Sequence, residues 1–193
     1  MKDTQLHIIG AKPYEEVRDL CHNAKIEVPE LVNNIGASFL PVLPSHALLI
    51  PVPGHDGSAT HTLRLAAAIA AKSIMVNRDA EKFGDTKNNK YVYPFDCLKC
   101  NPHVSFCERK RSGEDISKDE LKVEFKNEYS LTDKEIISRN LQLGYKFVLV
   151  DNVVDTGKTV RSCMKALEPY INKEDILVLA IGDTGRHRNQ EPK

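Results

Sequence analysis

The sequence predicts an α/β domain in which a mostly parallel sheet carries helices on both faces. Three observations lead there. Uninterrupted apolar runs, His46–Pro53 (HALLIPVP) and Lys146–Val150 (KFVLV), suit strands buried on both sides. Between such runs, apolar residues recur at helical spacing, as in Leu63, Ala66, Ala67 and Ala70, or Val160, Cys163, Met164 and Leu167. The two patterns alternate along the chain, which is the order a parallel sheet with crossover helices requires. At 193 residues one domain with a sizeable core is expected.

Each element has its own signal. Residues 1–45 read as helical, with Val17, Leu20, Cys21 and Ala24 on one stripe and a second apolar pattern after Pro29. His46–Pro53 is closed by prolines, which favours a strand over a helix. Gly54–Gly57 (GHDG) is then a turn, and Ser58 or Thr60 can cap the next helix. Ser73–Val76 (SIMV) reads as a second strand. Over residues 77–118 Lys, Asp, Asn, Pro, Gly and Cys replace the periodicity, which predicts a long irregular insertion. Leu121–Tyr129 alternates like a strand with one wet face. Thr132-Asp133-Lys134-Glu135 has capping-box form for a helix carrying Ile136, Ile137 and Leu141 and stopping at Gly144. Lys146–Val150 is a strand, a helix follows Gly157, and Asp175–Gly182 is the last strand.

Composition excludes several classes. Lys+Arg and Asp+Glu both number 27, a balance unlike the basic excess of a nucleic-acid binder, so no nucleic-acid partner is expected. MKDTQLHIIGAKPYEE lacks the basic-then-apolar pattern of a secretory signal, and LRLAAAIAA is too short and too charged to span a bilayer. Five cysteines without such a signal predict reduced thiols in a cytoplasm, with no membrane partner.

The stretch FVLVDNVVDTGKTV (Phe147–Val160) carries the chemistry. It places Asp151 near the carboxyl end of a buried strand, where open α/β sheets bind ligands. Past Asp155, amides of the turn and of the first helical turn have no intrahelical partners, and the Thr156 and Thr159 hydroxyls stand beside them, an arrangement that can wrap a phosphate. Gly157 lets the backbone approach closely. Carboxylates upstream would repel a phosphate but accept hydrogen bonds from sugar hydroxyls. The order asks for a ribose 5-phosphate, with the hydroxyls at Asp151 and Asn152. The triphosphatase loop also contains Gly-Lys-Thr, but it needs a glycine where Asn152 stands, so that match fails.

An apolar strand, two adjacent polar residues led by an acid, an apolar pair, then Asp-Thr-Gly-x-Thr: this stretch closely resembles the 5-phosphoribosyl 1-pyrophosphate signature of type I phosphoribosyltransferases. DTGKT (Asp155–Thr159) is similar to the variant in transferases acting on 6-oxopurines. The resemblance implies a Rossmann-like parallel sheet with a small hood, here residues 1–45 and the C-terminal tail. It also implies transfer of phosphoribose to a nitrogen acceptor, purine-like on the DTGKT variant, with release of pyrophosphate. Mg²⁺ would be held largely through the phosphoribosyl donor. Asp151 and Asn152 would hold the ribose, and Thr156, Gly157, Lys158 and Thr159 the 5-phosphate. Asp155 would lie near the incoming base as a proton acceptor, giving Asp151 and Asp155 the catalytic positions. The sequence departs from the family at Asn152, where a second carboxylate is usual. Dimers are common in the family, so a homodimer is compatible with it.

The family also needs a pyrophosphate loop after its first core strand. Gly54, His55, Asp56 and Gly57 are in that place, and the resemblance gives Arg78 the basic position after the second strand; a plain strand-to-helix turn and an exposed arginine are the alternatives. The insertion over residues 77–118 would close over substrate, with Lys82, Lys90, Arg109 and Arg111 as candidate contacts. Within it Cys97, Cys100, Cys107 and His103 have spacing for a tetrahedral zinc site, or are free thiols. Cys21 and Cys163 fall on apolar helical faces and read as core. The rival function is a non-catalytic sensor of the phosphoribosyl compound or a nucleotide, and Asn152 is its support.

Overall fold

A computed structural model of the chain describes residues 6–25, 29–116, 121–126 and 132–186. Two short strands, β1 (Ile8–Ile9) and β2 (Lys12–Pro13), lead into helices α1 (Tyr14–Lys25) and α2 (Pro29–Phe39). Then come β3 (His46–Pro51), the long helix α3 (Thr60–Lys82) and β4 (Tyr91–Pro94). A smaller unit follows, with β5 (Leu98–Cys100), α4 (Phe106–Arg111) and β6 (Val123–Phe125). The chain returns through α5 (Thr132–Gln142), β7 (Lys146–Val154), α6 (Lys158–Leu167) and β8 (Ile176–Asp183).

The main sheet is parallel throughout, in the order β1-β8-β7-β3-β4, with β2 also on β8. Ile8 faces Val178 and Lys12 faces Gly182, a constant offset, so β1 and β2 are one edge strand interrupted at Gly10-Ala11. At the other edge the Tyr91 and Phe95 amides bond inward, to Ser45 O and Leu49 O. The alternate position, Pro94, therefore faces outward, and its missing N–H blunts the open edge.

Alternation along the strands sends side chains to two cores. Leu48, Ile50, Phe147, Leu149, Val178 and Ala180 pack with Ile137 of α5 and Val160, Cys163, Met164 and Leu167 of α6. Ala47, Leu49, Val148, Val150, Leu179 and Ile181 pack on the other face with Val17 and Cys21 of α1, Ile35 and Phe39 of α2, and Leu65, Ala66 and Ile69 of α3. Burial on both sides explains why these strands read as unbroken apolar runs. The connection β3-α3-β4 runs outward one way and β7-α6-β8 the other. Right-handed crossovers in opposite directions put α3 and α6 on opposite faces, as the two cores show. The chain thus reverses its direction of winding between β3 and β7, which makes that pair the switch point of the sheet. Among the described residues no helix is long and apolar enough to cross a membrane.

The structure corrects the sequence reading in three places and supports it in one. Ser73–Val76 is not a strand but part of α3, with Ile74, Met75 and Val76 exposed. From Thr60 to Phe83 there is no glycine or proline to stop a helix rich in alanine, so it runs on past the β-branched pair. The second core strand is β4, inside the stretch expected to be irregular; the excursion from the sheet starts only after Pro94. The strand expected in Leu121–Tyr129 is present as β6, which pairs antiparallel with β5 away from the main sheet; residues 127–130 lie outside the described ones. Finally, the described part of residues 1–45 supplies an edge strand as well as two helices, and those helices pack on the sheet rather than standing above it as a hood.

Candidate functional site

β3 leaves the sheet after Pro51, whose partner is Val150, while β7 continues for four more residues beside β8 alone. One further bond, from Val52 N to Val150 O at 2.9 Å, marks where the two chains part. Asp151 is therefore not the last strand residue. It is uncovered because its neighbour strand ends.

Asp151 is half-buried, and its Oδ1 accepts from the Asn152 amide at 2.7 Å. Its charge reaches the fully buried Cys163 thiol. Burial first, then Asp151, Cys100 and Cys97, push that thiol well above the usual range, so it is protonated core. Asn152 behaves differently. Side chains alternate along a strand, and Asn152 is only 5% exposed, with its carbonyl 3.8 Å from Cys21 Sγ of α1. The expectation that Asn152 meets ribose hydroxyls beside Asp151 is not met in this arrangement, because the packing of α1 covers it.

The turn after β7 leads straight into a helix, as expected after Gly157. Gly157 has φ 72° and ψ 4°, a left-handed conformation that favours glycine, and α6 begins at Lys158 with no side-chain cap. Thr156 is buried at 6% exposure, and its Oγ1 lies 3.4 Å from the Lys158 amide. Asp155 Oδ1 accepts from Thr184 Oγ1 at 2.8 Å and pairs with Arg186 Nη1 at 3.3 Å. Arg161 Nη1 donates to Thr156 O at 2.9 Å, bracing the turn from within the helix. Lys158 Nζ donates to Ile116 O and lies 5.5 Å from the centroid of the Phe106 ring.

The loop after β3 is tied to itself. Gly54 N donates to Ser58 O at 2.7 Å and Gly57 N to Gly54 O at 3.0 Å. Asp56 accepts from Ser58 N and Oγ at 2.9 and 2.8 Å, and these bonds hold its carboxyl below the usual range. The Gly54 and Gly57 amides, expected to face pyrophosphate, thus hold the loop instead. Gly57 has φ +86°, and a Cβ there would sit 2.6 Å from Cys100 O. Cys100 Sγ donates to Gly54 O at 3.3 Å and the His103 amide to His55 O at 2.7 Å, so the excursion from the sheet lies directly on this loop.

Other candidates fall elsewhere. Arg78 follows no strand. It is exposed on α3, 18 residues after Thr60, or about 27 Å along the helix from the β3 loop at 1.5 Å per residue. The pyrophosphate contact expected of Arg78 is withdrawn on that distance. Lys82 pairs with Asp79 at 3.0 Å, and Lys90 donates to Leu43 O at 2.6 Å just before β4 and β3 begin, at the end of the strands away from the two loops. Arg109 pairs with Glu114 at 2.7 Å within the excursion; the Arg111 side chain lies outside those described. Among the described residues no three metal-ligating groups converge. Cys100 is engaged with Gly54 and His103 Nδ1 lies 3.1 Å from Asn101 O, while the Cys107 side chain is also outside those described.

No protein-family model matches this chain, and no curated protein matches it. Sequence reading missed Thr184, Arg186, Phe106 and Ile116, which reach the motif only through tertiary contacts. Arg161 was legible in principle: it stands four residues after Gly157, one helical turn above the loop it braces.

Proposed function

We propose that the chain is a phosphoribosyltransferase of type I, taking 5-phosphoribosyl 1-pyrophosphate and a nitrogen acceptor of purine-like kind. One observation carries this reading. Asp151, Asp155 and the turn Thr156–Thr159 stand at the end of β7, directly at the switch point of a parallel sheet, where the sequence pattern and the topology ask for the same sugar phosphate. Backbone amides at the start of α6 would take the 5-phosphate, aided by the positive end of the helix. Asp151, half-exposed beside them, would take ribose hydroxyls and face the cationic sugar as pyrophosphate leaves.

Mg²⁺ fits the donor set in a limited way. The half-exposed Asp151 carboxylate is a hard oxygen ligand, and Mg²⁺ commonly takes one or two such carboxylates with the substrate's phosphates. When bound, the ion would neutralise the leaving pyrophosphate. Asp155 can act as base towards the acceptor once its Thr184 and Arg186 contacts give way.

The second reading is a sensor that binds the same ligand without turning it over. Asn152 favours it, being both an amide and buried, so that Asp151 is the one carboxylate of the adjacent pair. Pyrophosphate release from the donor, with Mg²⁺ and a panel of bases, separates the two. Base-dependent release supports the enzyme. Saturable binding with no release supports the sensor, and no binding at all overturns both.

A further inference from the structure

Arg161 stands in the first turn of α6 and reaches back to the chain that precedes the helix. Its Nη1 donates to Thr156 O at 2.9 Å from a half-buried position, where water competes little for the bond. A planar trans peptide holds its C=O and its N–H on opposite sides. The Thr156 carbonyl is turned to the guanidinium, so the Gly157 N–H of the same peptide points away from Arg161. Gly157 is left-handed at φ 72°, and Lys158 opens a right-handed helix. Such a pair of conformations turns successive N–H groups towards one concavity, which suits an anion. Among the described residues the Gly157 amide has no acceptor of its own.

The bond also acts along the peptide. A cation at the carbonyl end draws electron density from the amide, and hydrogen bonds in a chain strengthen one another. We propose that Arg161 is a positioning residue for the sugar phosphate: through Thr156 O it fixes and polarises the Gly157 amide that receives the 5-phosphate. The inference rests on the phosphate reading of that turn. It needs the bond to Thr156 O, not an otherwise unpartnered guanidinium, and Arg161 does interact with other groups as well. Transfer leaves the 5-phosphate unchanged, so losing this grip weakens ground state and transition state alike. KM for the donor then rises while kcat stays.

Titration of the ¹⁵N-labelled full chain with ribose 5-phosphate tests this, in wild type, Arg161→Met and Arg161→Lys. The wild-type Gly157 amide proton is expected to move downfield at saturation, as a donor to a dianion does. Arg161→Met should bind about tenfold more weakly, as for the loss of one charge-assisted hydrogen bond. At its own saturation the Gly157 movement should fall by roughly half, with Lys158 and Thr159 moving as in the wild type. Arg161→Lys, which keeps a cation and a donor, should restore part of both. If Arg161→Met does not fold, Arg161→Gln, which keeps an N–H without the charge, replaces it in the same comparison. A role confined to stability would lower the urea midpoint and leave the saturated Gly157 shift as it was. That result overturns the proposal, and so does equal attenuation at all three amides. Wild-type binding matched by Arg161→Met in affinity and shift defeats this inference alone. No shift at the start of α6 in the wild type defeats the phosphate reading, and the inference with it.

Discussion

The two loops at the switch point are built in opposite ways. After β3, Gly54, Asp56, Gly57 and Ser58 bond to one another, and the excursion from the sheet packs on them at Cys100 closely enough that Gly57 has no room for a side chain. After β7, the chain enters α6 with a left-handed glycine and no side-chain cap. A loop that satisfies itself sets shape. A helix start without a cap keeps donors for something else. The difference teaches where to look for a ligand: at the second loop, with the first as its wall.

That contrast can be broken by mutation. Changes at Asp151 and in the turn after β7 should alter ligand handling, and changes after β3 should alter stability. The largest expected effect is Asp151→Ala, which lowers pyrophosphate release by about 100-fold or more in steady-state assays and shifts the urea midpoint little. Asp155→Ala should lower turnover by roughly 100-fold, with much smaller weakening of donor binding; equal losses in kcat and affinity would count against a role as base.

Gly57→Ala is expected to destabilise by about 2–3 kcal/mol in urea unfolding, from its left-handed backbone and the approach of Cys100 O together. A neutral result would show that the packing of the excursion on this loop does not need that contact. Asn152→Asp sharpens the comparison at the strand itself. The new carboxylate would be buried at a site 5% exposed, so its folded pKa would lie above its unfolded value. The penalty, about 1–3 kcal/mol, should be nearly absent at pH 4 and complete at pH 8. The smallest effect is Ser58→Ala. The Ser58 bonds lower the Asp56 pKa, so they add stability above the unfolded value and lose it as pH falls through the folded one. Removing the Oγ bond, while the Ser58 amide bond stays, should cost under about 0.5 kcal/mol at pH 7, because the carboxylate is exposed to solvent, and should cost least once the pH has fallen below the folded value.

How much of this was legible follows from the range of each signal. β7, α6 and β8 were readable because both faces of the strands are apolar and the stripe Val160, Cys163, Met164 and Leu167 is strictly periodic. Ile74-Met75-Val76 misled because β-branched residues prefer strands locally, while an unbroken alanine-rich run upstream had already committed the chain to helix. β4 was hidden because an edge strand needs only one buried side chain in its first three, Val92 between Tyr91 and Tyr93. At the site, Gly157 was legible from its backbone requirement. The burial of Asn152 depends on α1, more than 120 residues earlier in the chain, and the hold on Lys158 depends on Ile116; no local pattern encodes either.

The most direct test of the central claim is a titration of ¹⁵N-labelled chain with ribose 5-phosphate, followed by amide shifts. The expected result is saturable movement at Gly157, Lys158 and Thr159 that ribose without its phosphate does not produce, with Gly54 and Gly57 unmoved. Shifts confined to Gly54 and Gly57, or none at the start of α6, would contradict it.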